Sequence, residues 1–280
     1  MLIFISINHV IMKNLYLIFV FFSSFSLYSQ GEYNVQFSLF GVSDIPIKSQ
    51  MPKMGVNYGL GMYVAYKPIN RIPVFLELKG NLGMYDYRTS TETFIFDDNS
   101  TTVTDVSFKS SMHKLQFGTK IYVTNFYSRM RGYVTPQIGY NFMRSRIRVA
   151  DPLDEDDCQP LENRIAHKSG GLTYGAEIGF ELDVIRLIKI DGFTNSRLFM
   201  SLSYLGSFNK VDYINTKYMN ENVHGVYEGG HQHHEVSADR DVTLEFINVS
   251  NNSLHEHKIA EVYKTPLRYF NINLGYVWYF

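Results

Sequence analysis

Between positions 269 and 280 the chain alternates strictly: Phe270, Ile272, Leu274, Tyr276, Trp278 and Phe280 fall on one side, and Tyr269, Asn271, Asn273, Gly275, Val277 and Tyr279 on the other. Successive side chains of an extended backbone point to opposite faces, so a sustained period of two predicts a strand. The pattern recurs at 33–39, 55–66, 74–85, 113–124, 133–143, 172–184 and, more weakly, 198–208. In 55–66, for example, Val56, Tyr58, Leu60, Met62, Val64 and Tyr66 oppose Gly55, Asn57, Gly59, Gly61, Tyr63 and Ala65. Eight strands are predicted, each with one apolar, aromatic face and one face of small and polar residues.

The predicted connections alternate in length. Those at 67–73, 125–132 and 185–197 are shorter, whereas 86–112, 144–171 and 209–268 are long and polar, with 40–54 intermediate. Short turns at one end and long loops at the other characterise outer-membrane barrels. A soluble β-sandwich or a lipocalin-like barrel would also alternate, but its apolar face must pack against another apolar face. Here the polar face is crowded with glycine, which suits the interior of a small barrel filled by side chains. The apolar face carries aromatic residues near strand ends, as lipid-facing girdles do. Closure would also remove sheet edges, which lipid requires. The expected fold is all-β: an eight-stranded antiparallel up-and-down transmembrane β-barrel with long extracellular loops, spanning residues 30–280.

The stretch "NLGYVWYF" carries polar Asn273, then Gly275, Trp278 and the aromatic Phe280. It resembles the carboxy-terminal assembly signal of outer-membrane barrels, and the architecture as a whole resembles the small OmpA-type, OmpX-type and PorT-like barrels. The resemblance implies that the last strand is read by the barrel-assembly machinery. It implies an outer-membrane location and no particular activity.

The amino-terminal region changes the picture of destination. Lys13 and Asn14 precede the apolar run "LYLIFVFF" at 15–22 and the small-residue stretch ending at Ser29. This reads as an export signal over residues 1–29, with 1–11 a mis-called start. The run is too short to span a bilayer as a helix. A formal net charge of -1 gives no case for a nucleic-acid partner. The lone Cys158 has no partner for a disulfide or a thiolate metal site.

Parity places Glu77, Lys79, Lys114, Lys120, Glu177, Glu181 and Asp183 at the lumen. Unpaired charges there would be strongly unfavourable, so a mutually paired plug is expected, with an ion or proton path as the alternative. Arg144, Arg146 and Arg148 continue the outward parity of Phe142, so their guanidiniums are aimed at lipid headgroups, with lipopolysaccharide phosphates as natural bidentate partners. Scattered loop arginines are an equally simple reading.

Six of the chain's nine histidines fall in the last connection, and "HQHHE" at 231–235 is the densest stretch. His231, His233 and His234, with His257 and Glu235 or Glu256, are candidate Zn²⁺ or Cu²⁺ ligands. The spacing is not that of a standard metal motif, and a solvated polar loop is the favoured reading. The acidic "DPLDEDD" at 151–157 lacks the ordered spacing of a calcium loop. Ser111 and His113 share an outward parity, with Asp105 or Glu92 as an orienting acid, which is the makings of a hydrolase acting on lipopolysaccharide.

The leading expectation is a monomeric, non-enzymatic outer-membrane protein without a cofactor. Its long outer loops would carry surface binding, adhesion or an accessory role in envelope or secretion machinery. Passage of small or apolar solutes is the alternative, and a lipopolysaccharide-modifying enzyme the third.

Overall fold

The computed structural model describes residues 34–51, 53–69, 71–95, 101–151, 160–184, 195–215, 242–251 and 254–280. The segment read as an export signal lies outside these. The strands are β1 (Val35–Pro46), β2 (Asn57–Tyr66), β3 (Val74–Ile95), β4 (Thr101–Tyr122), β5 (Met130–Val149), β6 (Glu162–Leu182), β7 (Ser196–Asn215), β8 (Val242–Asn251) and β9 (Leu254–Tyr279). Each of β1 to β7 pairs antiparallel with the next, β7 pairs with β9, and β9 returns to β1, closing an eight-stranded up-and-down ring. Among the described residues, the ninth strand, β8, pairs only with the first part of β9.

Parity is as the sequence predicts. Leu60 is 73% exposed on the outside, while Lys120 and Glu181 are fully buried within the ring. Interior glycines sit where neighbouring backbone comes close: a Cβ at Gly59 would lie 2.6 Å from the Cα of Gly83, its cross-strand partner.

Two short turns at the lower end have local causes. In the β4–β5 turn, the Asn125 side chain accepts a bond from the Tyr127 amide at 2.9 Å, and the Ser128 amide bonds the Asn125 carbonyl at 3.1 Å. An Asn side chain that mimics a backbone turn in this way favours a tight reversal. Pro68 and Pro73 punctuate the β2–β3 turn.

The upper end differs from the expectation. The segments 86–112, 144–171 and 209–268, read above as long polar loops, are in large part strand. The β3–β4 ladder runs to Ile95↔Thr101, β5–β6 to Val149↔Glu162, and β7–β9 to Asn215↔Glu261. Ladder pairing between β6 and β7 begins only at Thr173↔Ser207. Above the ring the sheet therefore divides into β3–β4–β5–β6 and β7–β9–β8. Val106, Phe108, Ile147 and Val149 of the first pack with Ile214 and Val262 of the second.

The interior is layered as a result. Aromatic and charged residues occupy the lower ring, and a second ion-pair level lies above them. Next comes a layer that includes Met51, Met54, Met112 and Met143, and the aliphatic cluster caps the top. Met51 and Met54 come from the β1–β2 connection, which folds inward over the ring, held by Lys48 Nζ donating to the Met54 carbonyl and Thr265 Oγ1 to the Gln50 carbonyl.

Candidate functional site

Alternation on β3, β4 and β6 turns the lumen residues onto one interior surface, where they assemble in three groups stacked above an Asp183 pair at the lower rim. Lowest, Lys120 Nζ lies 2.6 Å from Glu181 Oε1, 3.0 Å from the Tyr63 hydroxyl and 3.3 Å from Gln36 Oε1. Its ammonium also sits 4.1 Å from the centre of the Tyr133 ring and 4.9 Å from that of Tyr63, an aromatic enclosure for a buried cation. Tyr122 donates to Glu181 at 2.7 Å, and the Tyr279 hydroxyl donates to the other carboxylate oxygen. The carboxylate is thus satisfied by an ammonium and two phenols.

Higher up, Lys79 bridges two acids, 2.6 Å from Glu177 and 3.1 Å from Glu77. The third group centres on Asp44, whose Oδ1 is 2.5 Å from Lys114 Nζ and accepts from Asn271 Nδ2 at 2.7 Å; Asn57 donates to Oδ2 at 2.6 Å. Asn271 also accepts from Asn273 Nδ2 at 2.7 Å, which links this level to the one below. At the lower rim Asp183 pairs with Arg197 at 3.6 Å. Arg197 donates further to the carbonyls of Ser128 and Arg129, tying the β4–β5 turn to β7.

All seven predicted lumen residues are buried inside, but they do not form a self-contained set. Asp44 and Arg197 complete two of the pairs and were not predicted. Asp44 was missed because inward Phe40 and Val42 interrupt the polar face of β1, so the strand reads as ending at Leu39. Arg197 precedes the predicted start of β7 by one residue, although its parity with Ser201 and Ser203 marks it as inward.

Arg144 and Arg146 are exposed on the outer face of β5, and Arg148 is partly buried on the same face. Asn273 is buried in the interior network, and Trp278 stacks on Phe37 at 5.9 Å on the outer face, joining β9 to β1. Gly275 pairs with Phe40, and the backbone of Phe280 exchanges hydrogen bonds with Val35 at 2.9 and 3.0 Å. His231, His233 and His234 lie outside the described residues, as do Cys158 and positions 152–157.

In the Ser111–His113 reading both candidate orienting acids have other partners, Glu92 accepting from Ser90 at 2.9 Å. Ser111 Oγ donates to the Arg144 carbonyl at 3.4 Å. Asp105 accepts from Thr91 at 2.8 Å. It lies eight positions from His113 on the same strand, roughly 27 Å at the usual rise.

The chain matches no protein-family model, and no curated protein matches it.

Proposed function

We propose that the ring is a transmembrane β-barrel of the outer membrane, exported by its amino-terminal segment. Its sealed interior makes it a rigid support rather than a channel. The upper sheets that it carries bind surface partners or envelope machinery without catalysing a reaction.

The observation that carries this reading is an inversion of the binary pattern at one height. On β5 the outward residues run Ile138, Tyr140, Phe142 and then Arg144, Arg146, Arg148, while the inward ones run Gln137, Gly139, Asn141 and then Met143, Ser145, Ile147, Val149. On β4 the outward set changes from Phe117 and Leu115 to Lys109, Ser107 and Asp105, while the inward set changes from Lys120, Gln116 and Lys114 to Met112, Phe108 and Val106. Phe142 is cross-strand to His113 and Arg144 to Ser111, so both strands change at the same level. Between β4 and β5 the register does not slip at this level; the surroundings change. An apolar medium outside the lower ring that gives way to water above it accounts for both halves.

The height of the apolar zone agrees. Outward residues Tyr58 to Tyr66 of β2 span roughly 27 Å along the strand. At a tilt of about 40° this becomes roughly 21 Å, close to the ~25 Å apolar band of outer-membrane barrels. Exposed aromatics border it above, with Tyr140 and Phe142 paired at 4.6 Å and Tyr174 and Phe208 at 4.6 Å, and the half-buried Phe37–Trp278 stack borders it below. A soluble protein rarely exposes such a continuous apolar surface.

Fractionation tests the location: the chain is expected in the outer membrane and, unheated, to migrate anomalously on gels. Recovery as a soluble periplasmic protein would refute the reading.

A further inference from the structure

Directly above the apolar band, the outer face of β4, β5 and β6 gathers five cations. Lys109 lies cross-strand to Arg146, and Arg144 lies between Ser111 on β4 and Lys168 on β6. Arg148 is two positions beyond Arg146, opposite Ser107. Lys109, Arg144, Arg146 and Lys168 are exposed. The outward positions from Ser107 to Leu115, Tyr140 to Arg148 and Lys168 to Leu172 include no carboxylate. Among the described residues Asp86, beside Tyr87 on β3, lies opposite inward-parity Ser110 and not on this face, while the acids beyond the cluster have partners of their own: Asp105 accepts from Thr91, and Glu162 pairs with Arg164 at 2.8 Å.

Like charges directly opposite one another in a sheet are destabilising, with Cβ atoms only about 4.5–5.5 Å apart. Here two such pairs, Lys109 with Arg146 and Arg144 with Lys168, lie side by side. A multivalent anion would relieve both at once. Immediately below the cluster are Phe142 and Tyr140, exposed on the apolar band. Tyr87, also exposed, is cross-strand to Lys109 and offers a flat ring at the level of the charges.

We propose that this face binds one phosphorylated, acylated glycolipid of the outer leaflet. Arg144, Arg146, Lys109 and Lys168 take its phosphate groups, and the aromatic and aliphatic residues below take its acyl chains. Two guanidiniums supply planar forks matched to phosphate oxygens, and the lysines add point charges. This rests on the membrane reading, and it names a partner for a site that otherwise holds repelling charges. Sequence parity points to Arg144, Arg146 and Arg148 alone; Lys109 and Lys168 join them only through the register.

The test uses the full mature chain in detergent, with binding counted by native mass spectrometry. The probes are a bis-phosphorylated acyl-disaccharide, its dephosphorylated counterpart and inorganic pyrophosphate. The phosphorylated glycolipid should bind with one equivalent and the other two much more weakly. Lys109→Gln with Arg146→Gln, and separately Arg144→Gln with Lys168→Gln, should each weaken it about tenfold or more, as expected for loss of hydrogen bonds to charged groups. Arg129→Gln, an exposed position in a lower turn, should leave it unchanged. Heat-dependent gel migration establishes that each variant is folded. Unchanged affinity in both double variants, or equal binding of the dephosphorylated lipid, would overturn the proposal. Pyrophosphate bound as tightly as the glycolipid would assign a free-phosphate site and overturn the lipid. Failure of the parent to insert into liposomes would refute the membrane reading itself, an outcome separate from the binding ratios in detergent.

Discussion

Lys114 Nζ lies 2.5 Å from Asp44 Oδ1, so an ammonium from β4 meets a carboxylate from β1 across the interior of the ring. Neither side chain reaches solvent, and both retain further partners or contacts: Asn57 and Asn271 on the acid, and the Tyr269 ring 5.3 Å from the ammonium. The pair ties together strands that are not neighbours in the sheet.

Removing one member of such a buried pair leaves an uncompensated charge, which costs about 3–5 kcal/mol, whereas replacing both with uncharged groups costs far less. Asp44→Asn and Lys114→Met are each expected to lower the denaturant midpoint of the folded ring substantially, and the double variant by less than the sum. Urea unfolding in a double-mutant cycle measures the difference. Additive effects would show that the two groups are not energetically coupled.

The layered interior predicts electrical silence. Ion pairs fill the lower and middle ring, Met51 and Met54 fold in above them, and the aliphatic cluster closes the top. Reconstituted in planar bilayers, the protein should carry no steady current. Large, stable openings would favour solute passage over a sealed support. Met51 is fully buried, and its sulfur accepts the Arg268 amide at 3.3 Å. Met51→Ala should therefore destabilise by about 2–5 kcal/mol, as buried large-to-small changes do, and thermal unfolding followed by gel migration would read it.

The lower ring was legible because one face of each strand there is continuously apolar, while the opposite face mixes small and polar residues with inward aromatics such as Tyr63, Phe75 and Tyr133. What the sequence hid lies where the contrast changes sign. From Ser111 back to Asp105, β4 keeps its alternation, but inward Phe108 and Val106 are apolar while outward Ser111, Lys109, Ser107 and Asp105 are polar, so the segment reads as a polar connection. Its strand character depends on packing of Val106 and Phe108 against Ile214 and Val262, residues more than a hundred positions away. Asp44 was hidden for a related reason, since Phe40 and Val42 put apolar side chains inside β1. The pairings of the buried charges follow from register around a closed ring, which no local pattern encodes.

Close backbone approach makes an inward glycine sensitive where an outward one on the neighbouring strand, Gly80 between exposed Leu78 and Leu82, is not. A Cβ at Gly59 would overlap the Leu82 carbonyl and lie 2.6 Å from the Gly83 Cα, both main-chain atoms that cannot rotate away. At Gly80 a Cβ meets nothing within 4 Å. Gly59→Ala should cost about 1–3 kcal/mol through overpacking, while Gly80→Ala should be neutral or slightly stabilising because it restricts the unfolded chain. Comparison of the two unfolding midpoints checks the β2–β3 register: equal effects would contradict it.

The sharpest test of the surroundings of the ring uses the outward row of β2, in which Leu60, 73% exposed, is the first position in from Tyr58 and Met62 is the centre. At an exposed position facing water, Leu60→Arg would change stability by no more than about 0.5 kcal/mol. Facing the middle of a bilayer, the same arginine would cost about 2–4 kcal/mol, falling toward zero near the interfaces. A scan of Arg at Tyr58, Leu60, Met62, Val64 and Tyr66 should therefore give a profile that peaks within the strand and declines at both ends, when folding into lipid vesicles is titrated with denaturant. The corresponding substitution at Val103, exposed on β4 in the upper sheets, should be nearly silent. A flat profile across β2, indistinguishable from Val103→Arg, would mean that the apolar face meets water or a protein partner and that no membrane surrounds the ring.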